Sequence, residues 1–394
     1  MGKQSRPTQW TIARASIAAV LTYVYAVMAS PAIVLNPYDS VDWASCGRHK
    51  ANLHTHTTES DGSMSPSTVI DHYHSRGYAV LALADHNEVT YPWLNWGRDP
   101  SVLGMVSVQA TEASRHDHLG SYFNGYDASS SSITTSLTTI QNNGGLAVIF
   151  HPGRYSRSIT WYENLYATYD SLIGMEVFNQ GDRYPGDRDK WDALLSRTMP
   201  GRPVWAFSND DLHRLEHCAR NWQVLLTENA TLDSAAVRAA MRTGAFYAVY
   251  DGSGDQSRYI ALDSLTVAGT AVTVHANCDE SAIRWISDGH EIHRGATVDL
   301  DTVSALGSYV RAEIHGADGA RTLAQPLGIG QVTARERTPH APSETRRGSS
   351  SPGMSFGGLS PAPAGLPAID LKGRLVAKNV NRDAVTATTP LVRE

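Results

Sequence analysis

Five short apolar runs recur between residues 51 and 207, and each has the length of one β-strand. They occupy residues 79–83, 105–108, 146–150, 175–178 and 204–207. Because such runs are apolar on both faces, they suit strands of a parallel sheet that helices cover. Helical patterns separate the runs, and this repeated strand–helix order predicts an α/β barrel or an open α/β sheet.

A helix is predicted over residues 66–76, directly before the first run. Ser65 is a favourable N-cap, Pro66 suits the first helical position, and Gly77 can end the helix. The apolar side chains of this segment share one helical face: Val69, Ile70 and Tyr73. A second amphipathic helix is predicted over residues 232–243, closed by Gly244.

The pattern of apolar and polar residues changes after about residue 250. Short alternating segments (SLTVAG, AVTVHA, IRWISDG and SYVRAEIHG) predict a small antiparallel accessory β-unit at residues 255–332. Residues 333–394 are rich in Pro, Ser, Gly and Arg. That composition cannot bury enough apolar surface to order itself, so a disordered tail is predicted there.

Composition and charge narrow the class of protein. Of the 394 residues, 41% are hydrophobic and 18% are charged, which fits a globular chain. The net charge of −6 gives no surface that coats nucleic acid, so a nucleic-acid substrate would have to bind locally. Cys46, Cys218 and Cys278 are too few for a disulfide framework or a cysteine zinc site. We interpret them as unpaired small hydrophobic residues, with one bridge as the alternative in an exported protein.

Residues 1–38 have the layout of a targeting segment. Lys3, Arg6 and Arg14 precede an uncharged run with an apolar centre. The apolar part approaches the ~17–25 residues that span a bilayer, so a cleaved signal peptide and an uncleaved membrane anchor are both open. A buried N-terminal helix is the alternative. In both export cases the rest of the chain is expected outside the cytoplasm.

The chemistry-bearing residues begin with NLHTHTTESDG at residues 52–62. His54 and His56 are two residues apart, so they project to the same side of an extended strand end. Asp61 follows across a turn that ends in Gly62. Two imidazoles and a carboxylate suit a divalent metal, although His-x-His alone is weak evidence.

Further imidazoles and carboxylates follow the ends of the apolar runs. In chain order these side chains are His86, Glu112, His118, His151, Asp211 and His213. Active residues of barrel and open-sheet α/β enzymes lie at the carboxyl ends of the strands. Five strand ends that each finish in His, Asp or Glu are hard to explain as scattered surface polar residues, so we predict one metal site.

These motifs, which span roughly residues 50–221, resemble the PHP (polymerase and histidinol phosphatase) superfamily. Its members have a distorted (β/α)7 barrel that binds up to three metal ions. The resemblance implies nine metal ligands: His54, His56, Asp61, His86, Glu112, His118, His151, Asp211 and His213. It assigns the first metal to His54, His56, Glu112 and Asp211. The second falls to Asp61, His86 and His213, and Glu112 bridges to a third held with His118 and His151.

Two of these assignments have a competitor nearby. The family usually has Gly-Ser-Asp-x-His at the last motif, whereas this chain has Asn-Asp-Asp-x-His, so Asp210 competes with Asp211. The one-residue spacing before His213 favours Asp211. His116 competes with His118, but only His118 precedes Leu-Gly as in the family pattern.

The predicted chemistry follows from charge. Phosphate esters are anionic and repel hydroxide, and bound metals both offset that charge and lower the pKa of a bound water to about 7. We therefore predict metal-dependent phosphate-ester hydrolysis in a PHP-type barrel at residues 45–250, with a metal-bridging hydroxide as nucleophile. Two or three divalent ions are expected, and nitrogen and oxygen ligands permit Mn, Fe or Zn. Arg154 is the candidate phosphate-binding residue, with a plain surface arginine as the alternative.

The expected substrate is a small phosphorylated metabolite, a nucleotide or a short oligonucleotide, without a stable nucleic-acid partner. An exonuclease or phosphodiesterase that acts on nucleic-acid ends is the second enzymatic alternative. A non-catalytic binding module that keeps metals for structure is the third, and it predicts at least one missing ligand. Amide hydrolysis of the amidohydrolase type is disfavoured, because such barrels generally use a carboxylated lysine or a further histidine pattern.

Overall fold

The computed structural model describes residues 30–332, so the predicted tail at 333–394 and most of the predicted targeting segment lie outside the described residues. Within this range the strands are β1 (Ser30–Leu35), β2 (Gly47–Asn52), β3 (Val80–Leu83), β4 (Val106–Ala113), β5 (Leu119–Tyr122), β6 (Leu146–Ile149), β7 (Leu172–Asn179), β8 (Trp205–Asn209), β9 (Asn221–Thr227), β10 (Phe246–Tyr250), β11 (Ser264–Ala268), β12 (Ala271–His275), β13 (Ile283–Ser287), β14 (His290–Arg294), β15 (Thr297–Asp299), β16 (Tyr309–His315), β17 (Arg321–Ala324) and β18 (Leu327–Val332). The α-helices are α1 (Pro66–Ser75), α2 (Pro100–Leu103), α3 (Ile133–Asn142), α4 (Ile159–Thr168), α5 (Gly186–Thr198) and α6 (Ser234–Thr243).

Both helices predicted from their end signals are present. The Ser65 side chain accepts a hydrogen bond from the backbone N–H of Thr68 and so caps α1. The apolar face of α1 is buried, as its spacing predicts. Asp233 caps α6 in the same way, and Gly244 ends that helix with φ +78°.

Strands β2 to β8 form the barrel wall. β2, β3 and β4 pair in parallel, and so do β6, β7 and β8. β5 lies between the two groups and is antiparallel to both neighbours. The predicted α/β class is therefore confirmed, with one antiparallel strand that distorts the barrel.

Each of the five apolar runs contributes to one of these strands, whereas only the carboxyl end of β2 was predicted and β5 was not predicted. The β2 sequence, GRHKAN, carries three consecutive charged or polar side chains, Arg48, His49 and Lys50, of which the first is exposed and the other two are partly buried. β5 has only four residues, LGSY, and it enters the sheet as the return arm of a hairpin with β4. Neither segment has the apolar run that marks a strand in the sequence.

Alternating side chains divide each barrel strand between an inner and an outer core. In β6, Leu146 and Val148 belong to the inner cluster. Ala147 and Ile149 pack outward with side chains of α3 and α4. Helix α6 packs against the inner cluster, because its buried residues Val237, Ala240 and Met241 are part of it.

The barrel closes between β8 and β2 through few backbone pairs. Thr55 and Leu212 form one parallel bridge beyond the strand ends. The Asn209 Oδ1 atom accepts hydrogen bonds from the Leu53 N–H at 2.8 Å and from Gln223 Nε2 at 2.9 Å. Side-chain amides thus replace part of the backbone hydrogen bonding that β8 and β2 lack. We call this junction between β8 and β2, at the mouth of the barrel, the seam.

The predicted accessory β-unit at 255–332 shares a sheet with the barrel strands. β9 pairs antiparallel with β2, β10 with β9, and β17 with β10, and β16, β13 and β14 continue this sheet. β11, β12 and β15 form a separate three-stranded sheet. The antiparallel character predicted for this region is present, and the boundary at 250–255 stays a prediction.

The predicted targeting segment at residues 1–38 overlaps the part of the chain that the structure describes, and its end at residue 38 stays a prediction. Residues Ser30–Leu35 form β1, which pairs antiparallel with β18, so the folded part already includes residue 30. Tyr38 is also buried, and its hydroxyl donates to the Phe246 carbonyl. None of the helices within residues 30–332 is long and apolar enough to cross a membrane. The export or anchoring role of the preceding residues stays a prediction.

A buried ion pair joins the β-unit to the barrel helices. The Arg311 guanidinium on β16 donates to both Asp192 carboxylate oxygens on α5, at 2.8 and 2.7 Å, and to Glu313 Oε1 at 2.6 Å. Arg311 is only 2% exposed. Burial alone would raise the pKa of Glu313, but the Arg311 charge outweighs it and holds that pKa below its usual range.

We predict that Arg311→Met lowers the free energy of unfolding by roughly 3–5 kcal/mol at pH 7, because two buried carboxylates lose their partner. Equilibrium denaturant unfolding measures this loss. The Glu313 pKa is lower in the folded than in the unfolded state, so its contribution is full above pH ~4.3 and fades as the pH falls below that value. The gap between variant and wild type should therefore narrow in acid. The control is Arg294→Met, which removes an exposed pair with Glu291; an equal loss there would contradict the account.

Candidate metal centre

All nine predicted ligands converge at one mouth of the barrel. Five strand ends deliver eight of them, since β2, β3, β4, β6 and β8 run with their carboxyl ends toward this mouth. The ninth, His118, directly precedes the antiparallel strand β5, whose amino end lies at the same mouth. The nine side chains form four overlapping groups, and within each group the ligand atoms lie within 4.8 Å of one another.

One of the two fully buried groups contains His54, His56 and Asp211, and Glu112 lies against both of its imidazoles. The two imidazole Nε2 atoms are 3.1 Å apart. Each lies 3.1–3.4 Å from Glu112 Oε2 and Asp211 Oδ1. Ligand atoms that share one metal at ~2.0–2.1 Å have about this spacing. These are also the four residues that the family resemblance assigns to one metal.

A further group lies nearer the solvent. Asp61 Oδ2 is 3.5 Å from His86 Nε2 and 3.3 Å from His213 Nε2. Asp61 is 54% exposed, whereas His86 and His213 are about a quarter exposed. His56 also faces this group, with its Nδ1 atom 3.7 Å from Asp61 Oδ1. The open side gives small molecules access to the centre.

Glu112 connects the groups through its two oxygens. Oε2 faces the imidazoles of His54 and His56 and also lies 2.8 Å from His86 Nδ1. Oε1 lies 2.7 Å from His118 Nδ1 and 3.3 Å from His151 Nε2. A carboxylate with ligand atoms on both sides can bridge two metals, which is the role that the resemblance implies for it.

The donor set fits divalent metals. Several buried atoms at the centre have no hydrogen-bond partner within the described residues: His56 Nδ1, His86 Nδ1, His151 Nδ1 and Glu112 Oε2. A buried polar atom left without a partner costs about 1–3 kcal/mol. Nitrogen and carboxylate ligands at this spacing suit Zn²⁺, Mn²⁺ or Fe²⁺, so bound cations would compensate these atoms.

The electrostatics of the cluster also require positive charge. Burial opposes protonation of His56, yet the carboxylates of Asp211 and Glu112 raise its pKa to about 10. Burial likewise opposes the ionised form of Glu112, but His54 and its other imidazole neighbours hold the pKa of Glu112 well below its usual range. The carboxylates of Glu112 and Asp211 therefore stay ionised and favour positive charge beside them, which the imidazoles can carry as protons and bound metal ions could supply instead.

Two ligands have a backbone conformation that side-chain-bearing residues rarely adopt. His151 has φ +28° and Asp211 has φ +44°. Positive φ at a residue other than glycine costs about 1–3 kcal/mol, and such strain concentrates at functional sites. At these two positions the strain directs side chains into the cluster.

The turn that carries Asp61 is anchored by hydrogen bonds to a buried carboxylate, Asp85. Asp85 accepts the Thr57 N–H at 2.7 Å and the Thr57 hydroxyl at 2.8 Å, and it is fully buried. Gly62 passes so close to the chain that a Cβ there would lie 2.6 Å from the backbone of His56. A side chain at residue 62 would therefore displace the backbone that presents His56.

The structure separates both pairs of competing residues. Asp211 faces the cluster, whereas Asp210 points away from it and accepts the Tyr73 hydroxyl at 2.8 Å and the backbone N–H groups of residues 219–221. His118 lies in the cluster, whereas His116 contacts Ser136 Oγ at 2.7 Å outside it. The nine positions chosen from the sequence are the ones that come together, and their role as metal ligands stays a prediction.

Arg154 lies at the rim of the same site, in the short 3₁₀ turn Pro152–Arg154 after β6. Sequence analysis missed two further lining residues, Arg183 and Tyr184. Both arginines are exposed, and neither forms an ion pair with a carboxylate within residues 30–332. No apolar run or family motif marks residues 183 and 184, so the sequence offered no signal for them.

Glu176 is a third residue that sequence analysis missed. It lies in β7 and contacts the Nδ1 atom of His54 from behind, at 2.9 Å. Here the sequence did carry a signal, since Glu176 is the one charged residue in the apolar strand LIGMEVFN. A charge in a fully buried strand needs a polar partner.

The mouth forms a cavity of about 420 Å³, lined by seven of the nine cluster residues (all but His54 and His56) together with Arg154, Arg183 and Tyr184. A larger groove of about 710 Å³ lies at the other end of β2, beside Cys46, Thr227 and helix α6. That groove contains no histidine. Convergent polar groups mark a site better than volume does, so the smaller cavity is the candidate active site.

Fold and cluster together define a class: a distorted seven-stranded α/β barrel with a histidine and carboxylate centre at its mouth. This is the arrangement that the PHP resemblance implies. A scan against family models found no match, and a search of curated proteins found none.

Solved structures do show similarity to this chain. One is a two-domain protein from Bacteroides vulgatus that contains a predicted PHP-like metal-dependent phosphoesterase (15% identity, 74% of this chain and 96% of that chain, TM-score 0.46). Another is an amidohydrolase from Chromobacterium violaceum with bound sulfate (19% identity, 41% and 87%, TM-score 0.32). A third, from Bifidobacterium adolescentis, is named as a metal-dependent phosphoesterase (14% identity, 49% and 96%, TM-score 0.35). Two of the three names agree with the predicted class, but at these TM-scores the similarities carry no functional argument.

We predict that Asp211→Asn impairs metal binding, whereas the neighbouring substitution Asp210→Asn impairs stability. Asp211→Asn should weaken Zn²⁺ binding, because the buried group of His54, His56 and Asp211 loses its carboxylate, while the fold persists. Asp210→Asn should leave Zn²⁺ binding in place and lower the free energy of unfolding by about 1–3 kcal/mol, since an amide nitrogen would face a backbone N–H. Zinc titration against a chelator and denaturant unfolding measure the two effects. Loss of zinc binding in Asp210→Asn alone would reverse the assignment.

Proposed function

We propose that this protein is a metal-dependent hydrolase that removes phosphate from a small phosphorylated molecule. The single observation that carries this proposal is the cluster of six histidines and three carboxylates at the barrel mouth, with no ligand position missing. A non-catalytic module predicts at least one missing ligand, so the complete set counts against it. Divalent metals at this centre would polarise a phosphate oxygen and supply hydroxide near neutral pH.

The charge balance at the centre supports an anionic substrate. Six neutral imidazoles and three carboxylates carry a formal charge of −3, and the Glu176 carboxylate behind His54 makes it −4, so two divalent metals bring the centre to neutrality and a third brings it to +2. With three metals bound, the net positive charge would attract a phosphate group and oppose binding of cationic molecules.

The residues at the rim support the phosphate ester in particular. Arg154 and Arg183 lie on the wall of the cavity with their guanidinium groups free of carboxylate partners within residues 30–332. A guanidinium donates two parallel hydrogen bonds to phosphate oxygens. Tyr155 and Tyr184 lie beneath these groups, with ring centroids 5.8 and 5.2 Å from the two guanidinium carbons, and keep them near the rim.

The size of the cavity favours a small substrate over a polymer. A volume of about 420 Å³ lies within the range of ~300–1,000 Å³ that is typical of small-molecule sites. The bound phosphate would contact the cluster on one side and the two arginines on the other. The rest of the substrate would extend past Tyr184, whose ring lies 5.8 Å from that of His151.

Turnover of a substrate panel tests the function. The purified chain, loaded with Mn²⁺ or Zn²⁺, is assayed against p-nitrophenyl phosphate, bis(p-nitrophenyl) phosphate, a nucleoside bisphosphate, a short RNA and p-nitrophenyl acetate. We expect the monoesters to be hydrolysed fastest, with activity lost in chelator and restored by metal. Preference for the RNA would favour the exonuclease alternative. Absence of phosphate-ester turnover by protein with bound metal would contradict the proposal.

We predict that Arg154→Met and Arg183→Met each lower kcat/KM for a phosphomonoester about 10–100-fold, since a hydrogen bond to a charged group contributes about 1.5–3 kcal/mol. Most of the change should appear in KM, because the metal ligands are untouched. The matched control is Arg197→Met, which alters an arginine paired with Glu163 outside the cavity. Unchanged kinetics in both rim variants would assign these arginines to the surface only.

A further inference from the structure

Glu176 is a buried carboxylate directly behind the metal cluster. Every residue of its strand, β7, is buried, and Glu176 itself is fully shielded from solvent. Within residues 30–332 its ion-pair partner is His54, and neither an arginine nor a lysine contacts it. A lone buried carboxylate is costly unless hydrogen bonds compensate it, so its donors show what it does.

Four donors surround the carboxylate, two on each oxygen. Oε1 accepts hydrogen bonds from His54 Nδ1 and Asn209 Nδ2, both at 2.9 Å. Oε2 accepts the His151 backbone N–H and Asn179 Nδ2, also at 2.9 Å. Three of these donors are amides, which cannot accept in return. An ionised carboxylate can only accept, so the fourth contact is also a donor, and the hydrogen of the neutral His54 ring lies on Nδ1.

With its hydrogen on Nδ1, His54 directs the lone pair of Nε2 toward the cluster. Nε2 lies 3.1 Å from His56 Nε2 and 3.3 Å from Asp211 Oδ1. The ring also stacks on Phe150, with centroids 3.7 Å apart and planes at 12°. Stacking fixes the plane of the imidazole, and the Glu176 contact fixes its rotation within that plane and its tautomer.

We infer that Glu176 is a positioning residue that holds His54 in its metal-binding tautomer and orientation, an inference that rests on the proposed function. Metal-bound histidines gain ligand strength when their second nitrogen donates to a carboxylate. The same carboxylate also ties the backbone of His151 to the seam residue Asn209. One group thus orients a ligand from β2 and the strained loop after β6.

A purely structural role is the competing explanation. Glu176 could tie the ends of β6, β7 and β8 together without affecting His54. Asn179 separates the two roles, because its side chain donates to the same carboxylate but does not contact His54. Asn179→Ala is therefore the matched control for Glu176→Gln. Both substitutions disturb the hydrogen bonds around this carboxylate, but only Glu176→Gln changes the group that contacts the His54 imidazole.

The test uses the full chain, stripped of metal and titrated with Zn²⁺ against a competing chelator. Glu176→Gln should bind its first Zn²⁺ about 10–100-fold more weakly than wild type. Asn179→Ala should bind it within about 3-fold of wild type and lose mainly stability. Equal zinc affinity in Glu176→Gln and wild type would overturn the inference.

A spectroscopic measurement keeps the test independent of activity and of the variant's folding. In Zn²⁺-loaded wild type with ¹⁵N-labelled histidine, long-range nitrogen–proton correlation should show His54 with hydrogen on Nδ1 and metal on Nε2. Hydrogen on Nε2 would overturn the inference even if Glu176→Gln fails to fold. Zinc binding with this signature but without phosphate-ester turnover would contradict the proposed function alone. Absence of zinc binding in wild type would contradict both.

Discussion

Compensation of buried negative charge at the barrel mouth is the constraint on which the rest of the structure depends. Glu112, Asp211 and Glu176 are buried within one group of imidazoles, and Asp61 closes it from the solvent side. Hydrogen bonds satisfy Glu176, whereas Glu112 Oε2 has close neighbours but lacks a hydrogen-bond partner. Bound cations would supply the missing compensation, and metal binding would then also stabilise the fold.

The distorted closure of the barrel between β8 and β2 helps to position the buried carboxylates. β8 and β2 share little backbone ladder, and Asn209 fills the gap by contacting Leu53, Gln223 and Glu176. The departure from the family's Gly-Ser-Asp-x-His pattern therefore has a physical role in this chain. Asn209 joins the seam to the carboxylate behind His54, and Asp210 orders residues 219–221 so that the neighbouring Asp211 can face the cluster.

Prediction from sequence succeeded where local pattern and three-dimensional position coincide. Apolar runs mark buried parallel strands, and polar residues at their ends must meet at one edge, so strand order located most of the cluster. The family resemblance completed the set of nine and chose Asp211 over Asp210 and His118 over His116. Features that depend on long-range partners were not predictable. β1 is a strand only because β18 pairs with it, β5 only because it returns from β4, and Arg183 joins the site through folding of an unmarked loop. Glu176 was the exception, since a charge inside an apolar strand was visible and was not used.

Anomalous X-ray diffraction from crystals grown with Zn²⁺ or Mn²⁺ tests the central claim most directly, because it locates metal independently of activity. Data collected on both sides of the metal absorption edge should show two or three peaks at the barrel mouth. Each peak should lie ~2.0–2.3 Å from side-chain atoms of the nine residues, with Glu112 in contact with more than one. Peaks elsewhere on the chain, or none at the mouth while metal is bound in solution, would contradict the account.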